Sequence, residues 1–92
     1  MNSYNAKVVA RVSKAIQDVE DGLVSLDEVQ TMLGSAASLF ENDGTGLSEL
    51  ARTAEADIEL IQFTMLQEEH RPAAIWMLDG LRTAMESRGS TL

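Results

Sequence analysis

The chain has 92 residues, no cysteine, one histidine and a formal net charge of −8. Without cysteine it can form no disulfide, thiolate metal site or thiol nucleophile, which suits a reducing compartment, and we expect a cytoplasmic protein. Its negative charge disfavours a phosphate backbone, so nucleic acid is not an expected partner. Because no apolar run exceeds six residues, we expect neither a signal peptide nor a membrane segment, and no membrane partner.

The negative charge is concentrated in the middle of the chain. Residues 18–69 contain thirteen carboxylates and a single cation, Arg52, which gives a net charge of −12. Such a region is typical either of a solvated surface that keeps a small protein in solution or of a recognition surface for another macromolecule. The carboxylates that we expect to contact a partner, called here the acidic belt, are Asp18, Glu20, Asp21, Asp27, Glu28, Glu55 and Glu59.

Apolar residues recur at helical spacing in the first half of the chain. A stripe over residues 9–23 that ends in Leu23 predicts a first helix over residues 3–21. Ser25 and Glu28 have the spacing of a capping box, in which each residue satisfies an unpaired backbone amide of the other. They predict the start of a second helix, over residues 25–40.

The second half of the chain continues the helical pattern after turn-forming residues at 41–46. Its apolar stripe predicts a third helix over residues 47–69. Pro72 then either kinks one long helix or opens a fourth helix in its first turn, where the missing amide has no intrahelical partner. We expect a break just before Pro72 and a fourth helix over residues 72–87.

Four heptad-like segments with short connections predict a single all-α domain that comprises all 92 residues. Its architecture is a small antiparallel bundle of three to four helices, packed at shallow crossing angles. The last two helices are expected to be joined at, or kinked by, Pro72.

Four apolar residues fall outside the main stripes of the last two helices, namely Leu60, Phe63, Ile75 and Trp76. They either complete the core of the monomer or form an exposed patch that anchors an interface. The simplest interface of this kind is a two-fold homodimer in which the helices around Pro72 pair with their copies.

Motifs for calcium binding are incomplete. Residues 21–28 match only the second half of an EF-hand loop, and residues 41–52 end in arginine where that loop requires a bidentate glutamate. A carboxylate-bridged centre would need a Glu-x-x-His pair, but His70 has glutamine at the required position. We therefore predict no metal-binding residues.

Catalytic motifs are incomplete as well. No serine lies in a nucleophile-elbow sequence, and no lysine follows the short glycine turn at residues 44–46 as a phosphate-binding loop requires. We predict a protein that is not an enzyme, with no catalytic residues and no cofactor.

One segment resembles a known family. Residues 16–33 contain a helix that stops at Asp21 and Gly22, a helix start at Ser25 and the apolar Val29. This arrangement resembles the first helical hairpin of small bacterial immunity proteins of the colicin tRNase-inhibitor type. The resemblance implies an acidic helical bundle that blocks the basic active-site cleft of a nuclease toxin.

The charge pattern agrees with that implication independently, because a cationic cleft made for RNA would attract the acidic belt. Trp76 and Phe63 are the candidate apolar anchors of the bound state. Reversal of Glu55 and Glu59 to lysine should then slow association while the fold stays intact. The alternatives that the sequence leaves open are a homodimeric structural or regulatory protein and a small adaptor within a larger complex.

Overall fold

The computed structural model describes residues 1–90, with side chains described as far as residue 88. This part of the chain forms four helices and no strand: α1 Ser3–Glu20, α2 Leu26–Leu39, α3 Leu47–Thr64 and α4 Gln67–Ser90. The predicted all-α bundle is confirmed. Among the described residues, no helix is long and apolar enough to cross a bilayer.

Helix α1 ends in a turn that the glycine signal predicts. Gly22 has a positive φ of 76°, its amide bonds to the Val19 carbonyl, and the Leu23 amide bonds to the Asp18 carbonyl at 2.8 Å. This pair of bonds is a Schellman motif. Leu23 was expected on the apolar stripe of the first helix, but that expectation is wrong, because the turn carries Leu23 out of the helix and leaves it 72% exposed.

The start of α2 follows the predicted capping box. The Glu28 amide donates to the Ser25 hydroxyl oxygen at 3.1 Å, and α2 begins at Leu26, directly after the cap. The Ser25 hydroxyl in turn donates to the Glu28 carboxylate at 3.4 Å.

Helices α2 and α3 lie antiparallel and close together. Three contacts connect them, in which residue numbers rise on one helix as they fall on the other: Ala37 with Ser48, Gly34 with Glu55, and Asp27 with Gln62. The Ser48 hydroxyl reaches the Ala37 carbonyl at 2.6 Å. A Cβ atom placed on Gly34 would lie only 2.7 Å from a carboxylate oxygen of Glu55, so this carboxylate would have to move to admit a larger side chain.

The helices form a ring in which α1 packs against α2 and α4, and α3 packs against the same two helices. Their apolar stripes meet in one core, whose largest fully buried apolar side chains are Val12, Ile16, Val19, Val29, Leu33, Leu47, Ile58, Leu78 and Met85. The main stripe predicted for the last helix is confirmed, because Ala74, Leu78, Leu81 and Met85 are all buried.

Arginines of α4 fasten both ends of the bundle. Arg71 donates to the backbone carbonyls of Val19 and Glu20 at the end of α1. At the opposite end, Arg88 donates to the carbonyl of Thr45, in the connection between α2 and α3. These bonds satisfy carbonyl groups in segments where regular helix ends.

The break between the last two helices differs from the expected position. It was expected just before Pro72, but Met65 has the extended dihedral angles φ −108° and ψ 158°, and α4 already begins at Gln67. Pro72 is therefore the sixth residue of α4 and does not form the junction.

Two local features explain the earlier start. Glu68 and Glu69 occupy the first turn of α4, where carboxylates are favoured by the partial positive charge of a helix N-terminus. The ring of His70 hydrogen-bonds the carbonyl of Met65 at 2.9 Å, across the break. Both features stabilise helical backbone ahead of Pro72.

Candidate protein-binding surface

Two carboxylates of the acidic belt form ion pairs within the fold. Asp18 lies 3.1 Å from the ammonium of Lys14, and Glu20 lies 3.1 Å from the guanidinium of Arg82. Arg82 also contacts Asp79 at 2.7 Å. The hydrogen bond that Arg82 donates to the Asp79 carboxylate is the largest cause of the raised pKa of Arg82, and the charge of Glu20 adds to it. The structure therefore assigns Asp18 and Glu20 a local charge-balancing role.

Three further belt residues accept hydrogen bonds from neutral groups. Asp21 accepts from the Gln17 amide at 3.2 Å, and Asp27 accepts from the Gln62 amide at 3.1 Å. Glu28 belongs to the capping box that begins α2. Neutral donors leave these negative charges uncompensated, so all three still contribute to the electrostatic potential around the α1–α2 connection.

The last two belt residues, on α3, have different surroundings. Glu55 is half-buried and its carboxylate covers Gly34 of α2. Glu59 is exposed and makes no ion pair with any described residue. Reversal of Glu55 to lysine would disturb the close crossing of α2 and α3, so of these two residues Glu59 is the one suited to a charge-reversal test.

Three of the four candidate anchors lie on the surface. Trp76 and Phe63 are each 82% exposed, and Leu60 is 59% exposed. Ile75 is half-buried and packs against the core. The interpretation in which all four side chains complete the monomer core therefore fails for Trp76, Phe63 and Leu60.

An apolar groove lies between α3 and α4 beside these exposed residues. Leu60 and Trp76 line a cavity of about 380 Å³, and a second cavity of about 430 Å³ continues along the same two helices, lined by Leu50 and Leu81. Asp57 and Met77 line both cavities, so the two lie next to each other along these helices. We call the pair the α3–α4 groove, and its lining includes Leu50, Asp57, Leu60, Trp76, Met77, Gly80 and Leu81.

Small residues keep this groove open. Ala73, Gly80 and Ala84 line it along α4, and a Cβ atom built on Gly80 would meet no atom within 4 Å. At these three positions no side chain larger than a methyl group projects from α4 into the groove.

Asp57 is the charged residue of the groove with the most unusual environment. It is half-buried, the other residues of the cavity beside Trp76 are all apolar, and it makes no hydrogen bond or ion pair with any described residue. Arg88, at the far end of the groove, is engaged with the Thr45 carbonyl. The acidic belt predicted from the sequence does not include Asp57. Its position three residues before the off-stripe Leu60 was the available signal, because residues at that spacing share a helix face.

Comparisons of the chain with protein-family models, with curated proteins and with solved structures find no match. The resemblance of residues 16–33 to immunity proteins thus stays a prediction. Within residues 1–90, no group of three or more histidine or acidic side chains is arranged to hold a metal ion. The most distinctive surface of this part of the chain is the α3–α4 groove with the exposed Trp76 in its lining.

Proposed function

We propose that this protein is a non-enzymatic, acidic protein-binding module whose partner is a basic protein, and that it acts as an immunity-like inhibitor of a nuclease-type partner. The observation that carries the proposal is the exposure of Trp76 and Phe63, at 82% each, on a chain with a net charge of −8. Exposed aromatic anchors supply binding energy, and the carboxylates select a cationic partner.

The size of the exposed aromatic surface supports a binding role. Two aromatic side chains exposed to this degree present on the order of 300 Å² of apolar area, and Leu60 enlarges that patch. Its removal from water would contribute about 7 kcal/mol before the entropic cost of association is subtracted. An exposed apolar area of this size on a monomer is typical of a surface that a partner covers.

A homodimer is the second candidate, since the same exposed side chains could face their copies across a two-fold axis. Charge argues against it. Each copy would bring Asp57 and Glu59 to the contact, and like charges across an interface oppose association. The exposed cations Lys7 and Arg11 belong to α1, and Arg52, the exposed cation of α3, lies about two helical turns before Glu59.

The test uses the purified protein as bait in a lysate of its source organism, at low and at high salt. We expect a basic protein that is released by salt and whose nuclease activity falls when the bait is added. The double variant Trp76→Ala/Phe63→Ala should lose this partner. The matched control is Tyr4→Ala, because Tyr4 is also an exposed aromatic residue, at 43%, but lies on α1.

Three results would contradict the proposal: equal capture by the double variant and the wild type, a captured protein that is not basic, or no captured protein at any salt concentration. Light scattering on the purified protein tests the alternative that the protein is a homodimer. A dimeric mass that persists at every salt concentration and is lost in the double variant would favour the homodimer.

A further inference from the structure

We infer that the α3–α4 groove binds an amphipathic helix of the partner, oriented so that a lysine or arginine of that helix pairs with Asp57. This inference rests on the proposed function and adds to it the docking site and the element that is recognised. Three properties of the groove support it, namely its length, its lining and its uncompensated carboxylate.

The groove has the dimensions of a helix-binding site. Its α4 wall extends from Ala73 to Arg88, fifteen helical steps that span about 22 Å, or about four turns of an α-helix. Because Ala73, Gly80 and Ala84 are small, the backbone of an incoming helix can come close to α4.

The two cavities are placed for successive apolar side chains of such a helix. One is lined by Leu60 and Trp76, and the other by Leu50 and Leu81. A helix laid along the groove presents apolar residues on one face at positions i, i+3, i+4 and i+7, which is the common pattern of helix recognition by a groove. Trp76 would cover one edge of the bound helix.

Asp57 selects a cationic helix. Its carboxylate is half-buried and has no partner among the described residues, and an occupant would exclude more water from it. A buried carboxylate without a counter-charge is strongly unfavourable. An uncharged helix would leave Asp57 unpaired, and the α3–α4 face of a second copy would add another Asp57, whereas a lysine or arginine at the edge of the helix would compensate the charge.

The protein supplies its own probe for the test. Trp76 is the only tryptophan of the chain and lies at the edge of the groove, so its fluorescence reports directly on occupancy. The ligand is a synthetic helical peptide with leucines at positions i, i+3, i+4 and i+7, flanking lysines, and no tryptophan or tyrosine. We expect a saturable shift of Trp76 emission to shorter wavelength as the indole leaves water, and none with the same peptide carrying glutamate for lysine.

A substitution at Gly80 tests whether the groove is the site. Gly80→Leu should fill the groove and weaken peptide binding about tenfold or more, whereas the matched control Ala10→Leu, on the exposed face of α1 and away from the groove, should stay within about twofold of the wild type. A Cβ atom at position 80 would meet no atom within 4 Å, and circular dichroism verifies that both variants fold. Asp57→Asn should weaken binding of the lysine peptide. Asp57→Lys should abolish binding of the lysine peptide and allow the glutamate peptide to bind.

The results separate this inference from the proposed function. If a basic partner is captured but Gly80→Leu binds it like the wild type, the groove is not the docking site and the proposed function stands. Equal shifts with the lysine and glutamate peptides, or no shift with either, would overturn the inference. A third result would also overturn it. If the Trp76 emission of the protein alone shifted to shorter wavelength as protein concentration rose, and its mass in light scattering doubled at the same time, a second copy would be filling the groove.

Discussion

The side-chain amide of Asn5 pairs in both directions with the backbone of Glu41. The Nδ2 group of Asn5 donates to the Glu41 carbonyl at 2.9 Å, and Oδ1 accepts from the Glu41 amide at 2.8 Å. Asn5 is fully buried and is the buried polar side chain of the described core. The pair therefore fastens the first turn of α1 to the segment that follows α2.

Removal of this side chain should destabilise the protein. Asn5→Ala leaves the amide and carbonyl of Glu41 without their partners, which should lower the free energy of unfolding by about 1–3 kcal/mol. Urea denaturation measures the change. The control is Asn42→Ala, because Asn42 is exposed in the same segment and its replacement should change stability by no more than about 0.5 kcal/mol. An Asn5→Ala variant as stable as the wild type would contradict the structural role.

Substitution by alanine should have different effects on stability at two helical glycines. Gly80→Ala adds a methyl group to open space and should raise the free energy of unfolding by about 0.8–1.0 kcal/mol through helix propensity alone. Gly34→Ala places its methyl group against the Glu55 carboxylate, which must move, so the gain should be smaller.

A double variant isolates that contact. In a Glu55→Ala background nothing obstructs the methyl group at position 34, and Gly34→Ala should then stabilise the protein about as much as Gly80→Ala does. The four variants are compared by urea denaturation. If Gly34→Ala is equally stabilising with and without Glu55, the carboxylate does not limit the crossing of α2 and α3.

Trp76 and Leu78 occupy opposite environments on α4, two residues apart. Trp76 is 82% exposed and Leu78 is fully buried. We expect Trp76→Ala to change the free energy of unfolding by no more than about 0.5 kcal/mol, and Leu78→Ala to lower it by about 2–5 kcal/mol. Thermal and urea unfolding measure both variants. A large loss of stability in Trp76→Ala would place the indole in the core and remove it as a binding anchor.

Asp43 should make stability dependent on pH in the acid range. Its carboxylate accepts hydrogen bonds from the Thr45 hydroxyl and from the Asn2 amide, which hold the pKa of Asp43 well below its ordinary value, the Thr45 hydroxyl being the larger cause. Because the pKa is lower in the folded state, the stabilisation is complete above the unfolded pKa of about 3.9. It is lost as the pH falls through the folded value.

The variant Asp43→Asn isolates this contribution from the other carboxylates. The wild type should exceed the variant in free energy of unfolding at a pH of about 6, and the difference should shrink as the pH is lowered to about 2. Urea denaturation over a pH series measures it. A difference that stays constant over the whole range would show that the hydrogen bonds to Asp43 do not depend on its charge.

Local signals made most of the fold predictable from sequence. Ser25 and Glu28 are three residues apart, so their capping interaction needs no tertiary information, and α2 begins where they indicate. The regular apolar spacing around Leu78 was sufficient for the buried face of α4. Pro72 misled the prediction of the last break, because proline can lie within the early turns of a helix and the acidic first turn before it carried the stronger signal.

The candidate site was less predictable, because it depends on the distance between helices. The sequence placed Trp76 off the main stripe but could not decide between core and surface, and that choice depends on how far α4 lies from α3. The half-buried state of Asp57 has the same origin. No pattern within one helix encodes such a spacing, since side chains from two helices set it together.

The close crossing of α2 and α3, with the Glu55 carboxylate against Gly34, should resist opening more than the packing of α4 beside the open groove. Amide hydrogens along this crossing should exchange with deuterium only through global unfolding, whereas those of α4 beside the open groove should exchange through smaller fluctuations. A ligand in the groove should then slow exchange in α4 and leave α2 nearly unchanged. Between its anchored ends at Arg71 and Arg88, α4 is then the helix whose exchange rates we expect to report on binding.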